Sequence, residues 1–259
     1  RGAAFVTEPD FTAAIERIVA GLEQRSRLTI PTERRRIAVH EMGHASVALA
    51  LGTSEKVHKI SIIPRGIGAL GYTLRRPTED RYLHMRSELL DKLAVLLAGR
   101  AAECEVLGEP STGAADDLAK ATGLARSMVV SLGMSDRLGL AVFEDRQAPM
   151  LSPGAFGMQP SLMSAATTNV IDSEVRRLLD DAFVKATKII RANRMLLDEG
   201  TASLLTLETL DEHEIASLCQ RHGVVPPADV SKRSHEEPAS FLCFQPSDSS
   251  PNPTQSTHS

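Results

Sequence analysis

His40, Glu41 and His44 stand in the order H-E-x-x-H, within His40-Glu41-Met42-Gly43-His44. On a helix, side chains four positions apart lie on one face, so two imidazoles at this spacing can hold a single metal ion. The glutamate between them then points to the place where a metal-bound water would sit. Zinc held in this way lowers the pKa of its water to about 7. A carboxylate at position 41 can take up that proton and pass it to a leaving amine. The chemistry expected is therefore metal-assisted hydrolysis, of peptide bonds above all, with one Zn2+ per chain, His40 and His44 as ligands and Glu41 as general base. Without a carboxylate there, metal could still bind but turnover should collapse.

The same pentapeptide could instead be two surface histidines on an exposed helix. Its surroundings argue otherwise, because Ile37, Ala38, Val39, Ala45, Val47 and Ala48 are small or apolar. Gly43 weakens a helix, and the close approach of another backbone best explains it. Hydrolytic zinc usually takes three protein ligands and keeps a position for water. The extended pattern H-E-x-x-H-x-x-G-x-x-H is ruled out, since Val47 and Ala50 occupy its Gly and His positions. Downstream carboxylates are the alternative: Glu79, Glu88, Glu103, Asp116 and Asp117. Helical phase places Asp117 with Ala121, Leu124 and Met128, and Asp116 with Lys120, Gly123 and Ser127. A carboxylate on an apolar face is costly unless paired or metal-bound, which favours Asp117. Stabilisation of an N-terminal carboxylate by the helix dipole accounts for Asp117 equally well.

The elements that must position these residues can be read from periodicity and breakers. A first helix is expected after Asp10, its N-cap, with Phe11, Ile15, Ile18 and Leu22 recurring at helical period. The motif helix should run from about Thr32 to Ala50 and stop at Gly52. Strands are expected over Val57–Ile63 and Ala69–Leu74, with a turn at Gly66 and Gly68. A long helix should span Ser87–Leu107, broken by Gly108-Glu109-Pro110, and another should start near Ala114–Asp117 and reach Leu132. Residues 133 to 165 read as a loop, and two or more helices fill 168 to 222. From Pro226 the chain turns to Pro, Ser, Glu and Thr, and its end is best left disordered. The fold class expected is mainly α, a helical zinc-metallopeptidase domain with a small two- or three-stranded β element.

Composition sets the outer bounds. The chain has 259 residues, no Trp and a net charge of −4, so its core must be aliphatic and it carries no footprint for nucleic acid. Cys104, Cys219 and Cys243 are odd in number and far apart, which suggests neither a disulfide framework nor a Cys-rich zinc site. No apolar run approaches the roughly 20 residues of a membrane span. Arg1 in place of Met suggests a fragment whose upstream part is missing. The Arg34-Arg35-Arg36 run reads as a solvated helix face, His58 as a strand residue at the solvent or the core edge, and the methionines as core or loop anchors.

Several blocks in order resemble the peptidase domain of the FtsH family of membrane-anchored, ATP-dependent zinc metalloproteases. They are Ala38–Ala45, Val57–Gly66, Ala69–Thr73, Glu79–Leu83, Ala98–Glu103, Ser111–Leu118, Ala125–Val129 and Gly133–Ser135, followed by Ile171–Val175 and Glu208–Leu210. The resemblance covers about residues 5 to 222. It implies that the third zinc ligand is Asp117, and that the domain forms a homo-hexameric ring fed with unfolded polypeptide. It further implies residues 1–30 as the end of an upstream AAA lid helix and linker and 31–222 as the zinc peptidase domain, and composition leaves 223–259 as a disordered tail. No G-x-x-x-x-G-K-[ST] motif occurs, so ATP is expected only through an upstream module. The location implied is the cytoplasmic face of the bacterial inner membrane, or a mitochondrion or plastid, with the membrane reached through an upstream segment. Met42 departs from the family's more usual Ala, and residues 144 to 165 match poorly. A helical oligomerisation scaffold with an unused metal site is the competing reading, and an intact Glu41 argues against it.

Overall fold

The computed structural model describes residues 5–7, 10–11, 14, 17–18, 30–53, 55–64, 71–77, 83–143 and 163–224. The named elements are α1 (Pro31–Leu51), β1 (Glu55–Ser61), β2 (Tyr72–Pro77), α2 (Arg86–Leu107), a 3-10 turn (Thr112–Ala114), α3 (Ala115–Val130), α4 (Ala165–Ala192), α5 (Arg194–Leu207), β3 (Thr209–Leu210) and α6 (Glu212–His222). The architecture is mainly α with one small antiparallel sheet.

Helix α1 is the axis of the molecule. Pro31 opens it, where a missing N–H costs nothing, and Gly52 closes it in the left-handed conformation at φ 62°. Every residue from Ile37 to Leu49 is buried. Such a helix needs apolar or paired groups all round. It is packed on by α2, α4, α5 and the sheet. The crossing with α2 is close because Gly43 has no side chain. A Cβ there would lie 2.6 Å from Ala102 Cβ and 2.7 Å from the Ala98 carbonyl oxygen. The close backbone approach expected from Gly43 is thus present, and Ala98 and Ala102 supply it.

Helix α2 ends at Gly108, φ 76°, and α4 starts at Ser164, whose hydroxyl accepts from the Thr167 N–H. Helix α6 carries a capping box between Asp211 and Glu214. The sheet has the order β2-β1-β3, all antiparallel, with a register irregularity between Val57 and Lys59. Met42 and Met128 are core residues, as expected of them.

Several boundaries differ from the sequence reading. Strand β1 begins at Glu55 and ends at Ser61, and Ile62 instead gives its N–H to the Glu208 carbonyl at 3.0 Å. Strand β2 starts at Tyr72 and runs to Pro77, beyond the expected end at Leu74. The segment expected to be helical to 222 is interrupted by β3, because Glu208 takes a left-handed turn at φ 64° and releases Thr209 and Leu210 to pair with β1. Asp10 has helical backbone rather than standing ahead of the helix, and its carboxylate accepts from the Thr7 N–H at 3.0 Å and from the Thr7 hydroxyl at 2.6 Å. The expected turn at Gly66 and Gly68, the loop from 144 to 162 and the tail from 225 lie outside the described residues.

Candidate metal and catalytic site

The site forms where α1, α2 and α3 meet beside the sheet. Helix α1 presents His40 and His44 one turn apart, 8% and 9% exposed. Asp117, in the first turn of α3, completes the group. His40 Nε2 lies 3.1 Å from His44 Nε2, and Asp117 Oδ2 lies 3.2 Å from each. These three side chains form the one cluster of His, Cys, Asp and Glu among the described residues that could hold a metal ion. Three donors on a tetrahedral zinc with bonds of about 2.0–2.1 Å stand roughly 3.3–3.4 Å apart. The near-equilateral triangle here is close to that spacing.

The rings are held from behind. His40 Nδ1 faces Glu103 Oε1 at 2.7 Å, and His44 Nδ1 faces the Val95 carbonyl at 2.7 Å. A carbonyl can only accept, so His44 donates its Nδ1 proton. Glu103 imposes the same choice on His40. Both Nε2 atoms thereby face one another and Asp117, and on giving up their protons they become a donor set for a cation. Burial raises the Glu103 carboxyl, but the bonds from His40 and from the Ser111 N–H and hydroxyl more than offset it and hold it below the usual range. It therefore remains an ionised acceptor. Through Ser111 it also ties α2 to the turn that leads into α3.

Electrostatics point the same way. Burial opposes a charge on His40, yet Asp117 and Glu103 outweigh it and raise the imidazole to about 10. At Asp117 burial pushes the carboxyl up, but His40 and His44 bring it well below its ordinary range. The three groups together draw a positive charge into the space among them.

Glu41 is 7% exposed and lies against the entry to β2. The Thr73 hydroxyl donates to its Oε2 at 2.8 Å. Burial, only partly countered by His44, His40 and Thr73, holds the carboxyl above its ordinary value. Glu41 is thus placed beside the cluster with a raised affinity for protons.

The other candidate carboxylates are engaged elsewhere. Asp116 pairs with Lys120 at 2.6 Å on the solvated face of α3, as helical phase requires. Glu88 accepts from the Met85 N–H at 2.9 Å and caps α2. Glu103 stands behind His40 rather than in the triangle. Glu79 lies outside the described residues. Arg34 pairs with Glu208 at 2.9 Å and Arg36 with Glu109, so the arginine run is partly an anchoring face. His58 is half-buried beside Glu212.

Three residues complete the site in roles that the sequence does not assign to them. Glu103, a candidate third ligand by sequence, instead stands behind His40 as a buried partner. Thr73 gives no signal of its own, since threonine suits any strand. Gly99 interrupts a helical run as Gly43 does. Its missing side chain leaves room for the two imidazoles, because a Cβ would stand 2.5 Å from His40 Nε2 and 2.6 Å from His44 Nε2.

Comparison with known proteins gives a consistent result. Residues 27–218 match the sequence pattern of Peptidase family M41. The chain is 52% identical over 219 residues to a protein of Methylibium petroleiphilum named ATP-dependent zinc metalloprotease FtsH, covering 84% of this chain and 36% of that one. It is 49% identical over 218 residues to ATP-dependent zinc metalloprotease FtsH 2 of Bdellovibrio bacteriovorus, covering 84% and 35%. It is 47% identical over 218 residues to the FtsH protein of Pseudomonas putida, with the same coverage. The chain thus spans about a third of the length of the curated relatives it matches.

Proposed function

This chain belongs to peptidase family M41, and from that premise we propose that it is a zinc-dependent endopeptidase domain acting on unfolded polypeptides as part of an ATP-dependent protease. One observation carries the reading: three donor atoms from α1 and α3 converge at 3.1–3.2 Å beside a buried carboxylate that none of them uses. His40, His44 and Asp117 would hold one zinc ion. When bound, zinc supplies an acidic water and polarises a carbonyl oxygen. Glu41 then takes up the proton of the attacking water and gives it to the leaving nitrogen. Glu103 and the Val95 carbonyl keep both imidazoles in the tautomer that leaves Nε2 free. Burial of the cluster excludes bulk water and strengthens these interactions.

The wider assignment is supported by the relatives and the resemblance. Residues 31–222 are the peptidase domain, 1–30 the end of an upstream ATPase lid and its linker, and 223–259 a tail. ATP would be used through a module outside this chain, and the names of the relatives support that coupling. The bacterial sources of those relatives favour the cytoplasmic face of an inner membrane. Among the described residues no helix is long and apolar enough to cross a membrane, so any anchor is expected outside them. Assembly as a homo-hexamer rests on the resemblance.

Zinc content and cleavage of unfolded casein, compared between wild type and Glu41→Gln, test the reading. The variant should keep its zinc and lose roughly 100-fold or more of its turnover, the scale of general acid–base catalysis. Equal cleavage by both proteins would remove Glu41 from the chemistry. Sedimentation of the full-length protein would check the hexamer, and a species smaller than six subunits under assay conditions would refute it.

A further inference from the structure

We propose that Thr73 is a positioning residue for the reaction, holding the Glu41 carboxylate so that Oε1 is the oxygen left to meet the proton. The inference rests on Glu41 being the general base. It begins from an asymmetry between the two carboxylate oxygens. Oε2 accepts the Thr73 hydroxyl at 2.8 Å, and that hydroxyl also lies 3.3 Å from the backbone carbonyl of Glu41. Oε1 faces the start of β2 at Gly71, where a Cβ would stand 2.8 Å away. One oxygen is therefore tethered, and the other lies against the backbone of Gly71, where any side chain would press on it.

A tether is needed because a glutamate side chain turns about several bonds, and its terminal torsion is broad. Burial on α1 restricts the chain but does not choose which oxygen points where. Thr73 can choose, because it is fixed by the sheet: it pairs with Ile60 of β1, and β1 packs on α1. The hydroxyl thus carries the placement of the sheet to a carboxylate 32 positions away in sequence. The bond also stabilises the ionised carboxylate and makes it a weaker base. If basicity alone set the rate, removing the hydroxyl would raise turnover. Orientation predicts the opposite sign, because a small misplacement of a reacting group is costly.

The zinc-loaded protein is compared with Thr73→Val, Thr73→Ser and Glu41→Gln, using an unfolded fluorogenic peptide. Valine keeps the shape and removes the hydroxyl, whereas serine keeps the hydroxyl. Thr73→Val should lower kcat by roughly 10- to 100-fold, as expected for losing one hydrogen bond to a charged group, with KM within about twofold and zinc content unchanged. Thr73→Ser should restore turnover. A crystal structure of Thr73→Val should show the Glu41 carboxylate turned from its place. Turnover at or above wild type in Thr73→Val overturns the proposal, as does an effect confined to KM or zinc content. It is equally overturned if serine fails like valine, or if the carboxylate stays in place. An active Glu41→Gln would instead refute the general-base reading itself, whereas an inactive Glu41→Gln beside an unimpaired Thr73→Val would remove Thr73 alone.

Discussion

At the scale of single residues, the site depends as much on absent side chains as on present ones. Glycine inside a helix costs about 1 kcal/mol relative to alanine, so Gly43 and Gly99 call for a reason. Gly43 lets α1 and α2 touch backbone to side chain, and Gly99 leaves the volume in which the Nε2 atoms of His40 and His44 lie. The rings cannot retreat from a new methyl group, because Glu103 and the Val95 carbonyl fix them from the far side. Gly99→Ala is therefore expected to improve helix propensity yet weaken zinc binding by at least about tenfold, the scale seen when ligand orientation is disturbed. Competition with a chromophoric chelator measures this, and circular dichroism checks that helix content is kept. Unchanged affinity would show that the rings have room to move. The H-E-x-x-H pair was legible because its geometry is local to one helix. The role of Gly99 was not, because the rings it accommodates come from another helix, and no pattern within α2 names them.

At the scale of elements, α1 explains both what the sequence disclosed and what it hid. Breakers marked its ends, since Pro31 and Gly52 act locally. Its surroundings were hidden because a helix buried all round has no polar face to indicate what covers it. Strand β3 was missed for a related reason: two residues carry no alternation, and their pairing depends on the left-handed turn at Glu208. The contact of α1 with α5 is made at Met42 and Gly200. Met42, where the resembling family more usually has Ala, fills the notch at Gly200, and a Cβ at Gly200 would stand 2.7 Å from Met42 Sδ. Met42→Ala should cost about 2–5 kcal/mol by leaving a cavity. Gly200→Ala should cost about 1–3 kcal/mol by overpacking. The double variant should be more stable than the sum of the two predicts, because the shortened side chain makes room for the new methyl group. Urea unfolding of the four proteins decides it, and strict additivity would mean that the two positions do not share one space.

At the scale of the whole molecule, the candidate metal site is also a cross-link. Its donors come from α1 and α3, and Glu103 of α2 joins them by contacting His40 and Ser111 together. The aliphatic core of α1, α2, α4 and α5 is continuous without any ion, so the protein is expected to fold metal-free. An ion bound only by the folded chain must still stabilise it. At free zinc about 100-fold above its dissociation constant the gain is about 2.7 kcal/mol, and it grows with the logarithm of zinc concentration. Removing the metal with a chelator should therefore lower the unfolding midpoint, and readdition should restore it. In Asp117→Asn the tie between α1 and α3 loses its charged donor, so zinc should raise the midpoint much less while the metal-free protein still folds. An equal zinc-dependent gain in that variant would mean that Asp117 is not a ligand. No gain in the wild type would mean that the triangle at 3.1–3.2 Å does not hold zinc in the folded protein.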